Sequence, residues 1–172
     1  MTNAPTTGRL PTPAETPMAD DDRVALCVAR FYADLADALE EGARDALEEA
    51  GITQIDSFEV PGAFELPLIS RYAAESGRYV AIIALGAVIR GETDHYDYVC
   101  SETARGLQDI QLASGVPIGF GVLTVDSAEQ ARARVKGGDK RDSGRHAVEA
   151  ALASLAVKRR LSERPRRAGF SV

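Results

Sequence analysis

Between Gly86 and Cys100 the chain reads Gly-Ala-Val-Ile-Arg-Gly-Glu-Thr-Asp-His-Tyr-Asp-Tyr-Val-Cys, a run that sets a glycine turn beside a titratable imidazole. Backbone N–H groups at the start of a helix lack partners within it and attract anions, so the amides of Glu92 and Thr93 suit a phosphate. His95 follows within a turn, and imidazole as a class gives and takes protons near neutral pH. Asp94 is placed to cap the helix, with Asp97 a favourable acid in its first turn. Together these residues read as a site.

The surrounding pattern says what must hold them. An apolar run over 80–85 reads as a buried strand, and Tyr96, Val99, Cys100, Leu107 and Ile110 share one face of a helix extending to residue 113. Upstream, 23–29 is a strand running out at Phe31. Residues 32–50 form a helix with Leu35, Leu39, Ala46 and Leu47 on one face and Gly51 as its stop. Residues 54–60 alternate as a strand broken by Pro61-Gly62, and 64–76 is helical up to Gly77. Downstream, Gly115-Val116-Pro117 punctuates, 118–125 is a fourth strand carrying Phe120, and 127–135 and 147–161 are the last helices. Alternating strands and helices imply a four-stranded parallel sheet covered on both faces, a three-layer α/β/α sandwich with right-handed crossovers. Ligands of such sheets bind beyond the carboxyl ends of the strands. Phe31, Ala63, Ile89 and His95 all fall just after expected strands.

Composition narrows the class. A chain of 172 residues that is 45% hydrophobic, with no apolar run near membrane length, reads as one soluble domain over 23–161. Residues 1–22, rich in Thr, Pro and Asp, have neither an apolar core nor an Arg-rich amphipathic pattern, and are expected to be a disordered tail rather than a targeting peptide. Residues 162–172 read as a basic, solvated tail. The net charge of -6 argues against nucleic-acid binding. Cys27, on an expected strand, and Cys100, on an expected helix, support neither a disulfide framework nor a thiolate metal site, which places the chain in a reducing cytoplasm.

With these positions collected, the chain resembles the lumazine synthase family of riboflavin biosynthesis over roughly 23–161. The resemblance rests on Val60-Pro61-Gly62-Ala63-Phe64-Glu65-Leu66-Pro67, Val88-Ile89-Arg90-Gly91, His95-Tyr96-Asp97-Tyr98-Val99-Cys100 and Gly121-Val122-Leu123-Thr124, in that order. It implies a flavodoxin-like fold and the condensation of 5-amino-6-(D-ribitylamino)uracil with 3,4-dihydroxy-2-butanone 4-phosphate to 6,7-dimethyl-8-ribityllumazine, phosphate and water. In that reaction the resemblance gives His95 the proton transfers, Phe31 a stacking role on the uracil ring, and Ala63, Phe64 and Glu65 the ribityl chain. Ala87, Val88 and Ile89 meet the pyrimidine edge, Glu92, Thr93 and Arg134 hold the phosphate, and Phe120 comes from a neighbouring subunit. It further implies a homo-oligomer, either a pentamer or a sixty-subunit capsid, and riboflavin synthase as a partner. A condensation with a good leaving group calls for no metal and no redox cofactor.

Glu65 has a second reading as a helix cap, and Arg134 as a solvated helix charge. Two positions depart from the family pattern. Tyr32 stands where many members have Asn, and Lys140 lies earlier in its glycine-rich loop than the family lysine. A flavin binder on the same fold would keep Phe31 and the 63–65 turn without needing His95 or Arg134, and a shell protein would need only the assembly surfaces.

Overall fold

The computed structural model describes residues 18–162. Its sheet is built from β1 (Arg23–Ala29), β2 (Gln54–Val60), β3 (Ala81–Ile89) and β4 (Ile118–Val125), all parallel and ordered β2-β1-β3-β4. The helices are α1 (Ala33–Glu49), α2 (Leu66–Glu75), α3 (His95–Ser114), the short α4 (Ala128–Arg132) and α5 (Ser143–Ser162), with a 3-10 turn at Ala63–Glu65. A parallel strand returns to the sheet only through a crossover, so helices cover both faces.

The central strands β1 and β3 read as continuous apolar runs because both of their faces are buried, whereas the edge strand β2 alternates and is half-exposed. In β1, Val24, Leu26 and Val28 pack with Leu39 and Leu47 of α1 and Leu152 of α5. The opposite face, Ala25, Cys27 and Ala29, packs with Leu66 of α2 and Leu107 of α3. All four strands run in the same direction. Every strand carboxyl end therefore opens at one edge, between the first turns of the helices that follow.

Three elements differ from the sequence expectation. β3 runs four residues further, through Ile89, because its ladder with β4 continues from Gly86↔Val122 to Ile89↔Val125. Gly86 reads as a stop in the sequence, but it serves close packing: a Cβ there would lie 2.9 Å from that of Ala29. α5 begins at Ser143, not residue 147, since Asp142 Oδ1 accepts the N–H groups of Gly144 at 2.9 Å and Arg145 at 3.2 Å and so caps the helix. The helix expected over 127–135 is reduced to α4, capped by Ser127 Oγ accepting from Gln130 N–H at 3.2 Å. The tail expected over 1–22 is described only from residue 18, where the buried Asp22 accepts from Arg159 at 2.6 Å. The rest of it, and the basic tail beyond 162, lie outside the described residues.

Gly144 carries the contact between α1 and α5. A Cβ at this position would overlap the carbonyl oxygen of Leu39 and lie 3.2 Å from the backbone nitrogen of Ala43. Both obstacles are backbone and cannot rotate aside. Alanine would gain about 1 kcal/mol of helix propensity, but overpacking of this kind costs up to about 3 kcal/mol, so Gly144→Ala should destabilise the fold by about 2 kcal/mol net. A denaturation midpoint equal to or above that of the wild type would contradict the close packing of these helices.

Candidate active site

Three strands and one helix deliver the walls of an open cleft of about 460 Å³ at the carboxyl edge of the sheet. That volume suits a small-molecule ligand. β1 ends in Phe31 and Tyr32, β2 runs into the turn from Pro61 to Glu65, and β3 contributes Ala87, Val88 and Ile89. The fourth wall is the entry to α3, with Gly91 and Thr93 in the turn and His95, Tyr96 and Val99 on the helix.

Each wall has its own fastening. Phe31 is 73% exposed, a large cost for an aromatic ring that had no ligand to cover, and Tyr32 meets it edge-on with ring centroids 5.0 Å apart. In the second wall, Thr103 of α3 donates its buried hydroxyl to the Ala63 carbonyl at 3.1 Å, tying that turn to the helix below the cleft. Glu65 Oε2 accepts the Gly62 N–H at 3.0 Å, so its carboxylate does close the turn as a cap while still lining the cleft. At the fourth wall, Arg90 pairs with Asp97 of α3 at 3.2 Å and with Asp126 beyond β4 at 3.1 Å, and its guanidinium lies 4.1 Å from the centre of the Tyr96 ring. These contacts fix the angle at which α3 leaves the turn, and with it the exposed His95. Burial, then the neighbouring Cys100, push the Tyr96 phenol above its ordinary value, so it stays a neutral donor at physiological pH.

The cap of α3 differs from the sequence expectation. Asp94 occupies the N-cap position, but its backbone is already helical (φ −67, ψ −3) and its side chain makes no capping bond. An N-cap carboxylate reaches the next amides only from an extended backbone. Thr93 Oγ1 instead accepts from the His95 N–H at 3.4 Å, a long bond that a stronger acceptor could replace.

Of the residues singled out in the sequence, Phe31, Ala63, Phe64, Glu65, Ala87, Val88, Ile89, Thr93 and His95 line this cleft. Glu92 sits in the same exposed turn without lining it. Phe120 and Arg134 are elsewhere. Phe120, half-exposed on the edge strand β4, lines a separate groove against Leu107, Gln108 and Gln111 of α3. Arg134 follows α4, where its side chain donates to the Gln130 carbonyl at 2.9 Å. Lys140 is exposed in the loop before α5, and His146 lies on α5 with Nδ1 3.7 Å from Glu149. Sequence reasoning did not assign Tyr96 and Val99 to the site, although their spacing from His95 on one helix puts them within a turn of it.

Among the described residues no group of three or more His, Cys, Asp and Glu side chains could hold a metal ion, and no helix is long and apolar enough to cross a membrane. What the cleft offers instead is an exposed aromatic face, backbone groups at the ends of β2 and β3, a helix N-terminus and an imidazole. That combination suits a flat, hydrogen-bonding ring brought next to an anion and a proton carrier.

Comparison with known proteins points the same way. Residues 21–159 match the sequence model of the family described as 6,7-dimethyl-8-ribityllumazine synthase. A protein of that name from Kineococcus radiotolerans is 47% identical over 145 residues, covering 83% of this chain and 89% of its own. Its namesake from Streptomyces coelicolor is 46% identical over the same length and shares of each chain. Another, from Desulfatibacillum aliphaticivorans, is 48% identical over 126 residues, 71% of this chain and 81% of its own. Identity at this level over most of the chain, with the family model matching residues 21–159, means that the chain belongs to the 6,7-dimethyl-8-ribityllumazine synthase family.

Proposed function

We propose that this enzyme, a transferase of riboflavin biosynthesis, condenses 5-amino-6-(D-ribitylamino)uracil with 3,4-dihydroxy-2-butanone 4-phosphate in the cleft at the carboxyl ends of β1, β2 and β3. The observation that carries this reading is the grouping of Phe31, the Ala63–Glu65 turn and His95 around one cavity. The uracil ring lies on Phe31, its edge meets the backbone at Ala87 to Ile89, and the ribityl chain runs along the 63–65 turn. The phosphate is held by the amides at Glu92 and Thr93, at the positive end of the α3 dipole. Imine formation, loss of phosphate and ring closure each move a proton, and His95 is the group beside the ring that carries it. The experiment is to supply the purified protein with both substrates. Fluorescent lumazine should form with one phosphate released per ring closed, and protein that binds the ring without turning it over would be a binder instead.

Phe120 and Arg134 complete the cleft from an adjacent subunit. Within one chain neither reaches it, and both belong to the β4 side of the sheet, whose edge is unpaired. The assembly is a homo-oligomer, a pentameric ring or a capsid made of such rings. Its support is the apolar stripe Phe64, Leu68 and Tyr72, spaced one helical turn apart and 59%, 52% and 58% exposed in the single chain. Riboflavin synthase, the partner suggested by the family resemblance, would consume the product. A reducing cytoplasm agrees with two free cysteines, of which Cys27 is buried and has its thiol pushed up to about 11 by that burial, leaving it inert.

Arg134→Ala should raise KM for the butanone phosphate alone, by roughly 1.5–3 kcal/mol of lost charged hydrogen bonding, or about ten- to a hundred-and-fiftyfold. Inorganic phosphate should compete with that substrate in the wild type. A rise in KM for the uracil substrate, with phosphate failing to compete, would place Arg134 elsewhere.

A further inference from the structure

We infer that Arg30 is a positioning residue that sets the gap between the two walls of the cleft that grip the ring substrate, an inference that rests on the condensation proposed above. Arg30 lies between the last residue of β1 and Phe31. Its own N–H extends the β1–β2 ladder by one rung, donating to the Val60 carbonyl at 2.9 Å. The side chain then reaches two further elements, β2 and α1. Nε donates to Glu59 of β2 at 2.9 Å, one terminal nitrogen to Glu40 of α1 at 2.7 Å, and the other to Asp37 of α1.

Glu40 is the buried anchor of this junction. One carboxylate oxygen takes Arg30, while the other accepts from Arg44 at 2.7 Å and from Ser57 Oγ of β2 at 2.9 Å. Desolvation opposes its charge, but Arg44, Ser57 and Arg30 outweigh the burial and hold the carboxyl below the usual carboxylate range, so it stays charged at neutral pH. The guanidinium is thus a three-way joint at the point where β1 hands over to Phe31 and β2 to the Pro61–Glu65 turn. A planar fork with five N–H donors can make such a joint, and a lysine's point charge cannot reproduce its geometry.

The guanidinium does not line the cleft itself, so any effect on catalysis passes through the walls. Phe31 is mostly exposed and touched edge-on by Tyr32, so the place of its ring depends on the backbone at residues 30–32. The anion end of the cleft, at the start of α3, is fastened separately by Arg90. Loosening Arg30 therefore affects the ring substrate and spares the phosphate substrate.

The test is a KM and kcat comparison on the intact assembly of Arg30→Lys and Arg30→Gln, each alone and combined with Phe31→Ala. KM for the uracil substrate should rise roughly tenfold in either single variant, with kcat and the KM for the butanone phosphate within about twofold of wild type. In the Phe31→Ala background the Arg30 effect should vanish, because the wall it positions is already gone. Arg30→Lys keeps the charge and carries the test should Arg30→Gln fail to fold. Equal losses for both substrates, an unchanged KM for the uracil substrate, or an Arg30 effect that persists undiminished without Phe31 would overturn the assignment. A wild-type protein that forms no lumazine would overturn the proposed reaction and this inference with it, whereas an active wild type with indifferent Arg30 variants overturns this inference alone.

Discussion

Replacing His95 by alanine should slow turnover roughly tenfold to a thousandfold while leaving ring binding nearly intact. A positioned acid–base group contributes a hundred- to ten-thousandfold in general, and the lower bound here allows for the spontaneous background of this condensation. The geometry makes the loss specific to chemistry. His95 lines the cleft at the first turn of α3, while the proposed contacts of the uracil substrate, Phe31 for the ring and the 63–65 turn for the ribityl chain, stand on other elements. Removing the imidazole therefore takes away a proton carrier without disturbing the platform. Arg90 still pins the start of α3 through Asp97, so the helix entry should not unravel in the variant. Pre-steady-state turnover and ring titration on the same protein separate the two effects. Turnover unchanged at neutral pH would remove His95 from the mechanism.

The second large effect comes from mixing. If Arg134 enters the cleft of the next subunit, His95→Ala and Arg134→Ala chains, each impaired alone, should rescue one another when unfolded together and reassembled. In a closed ring each interface joins two different faces, so equal mixing gives about one interface in four an intact His95 cleft facing an intact Arg134. Activity should then recover to about a quarter of wild type per chain, well above the mean of the two parents. Had Arg134 folded over the cleft of its own chain, no mixture could assemble a complete site, and activity would equal that mean. The single-chain structure favours the first outcome, since Arg134 is turned back on the Gln130 carbonyl and is absent from the cleft lining.

This division also marks how far the sequence could be read. β1, β2 and β4 have the bounds that the sequence predicts, β1 from an apolar run buried on both faces, the edge strand β2 from its alternation, and all three from their flanking breakers. β3 was harder because glycine inside a strand looks like its end. Only the approach of Ala29 explains why Gly86 continues the ladder. The start of α5 was hidden in a glycine-rich stretch whose Gly144 is there for packing against α1. The cap of α3 depended on the backbone angles of Asp94, which no residue pattern reveals. Most of the candidate site was legible because the sheet topology gathers the strand ends at one edge, so motifs distant in sequence meet there. Phe120 was expected from a neighbouring subunit only through the family resemblance, and Arg134 without a subunit assignment, since the pattern of one chain carries no register between chains.

The places of the two substrates in the assembled protein test the proposed reaction most directly. A crystal structure with a non-reactive ribitylaminouracil analogue and inorganic phosphate should show the ring stacked on Phe31, the ribityl chain along the Ala63–Glu65 turn and the phosphate on the amides at Glu92 and Thr93. His95 should stand between them, with Arg134 of an adjacent subunit on the phosphate. A ring bound away from Phe31, or a phosphate held remote from the start of α3, would contradict it.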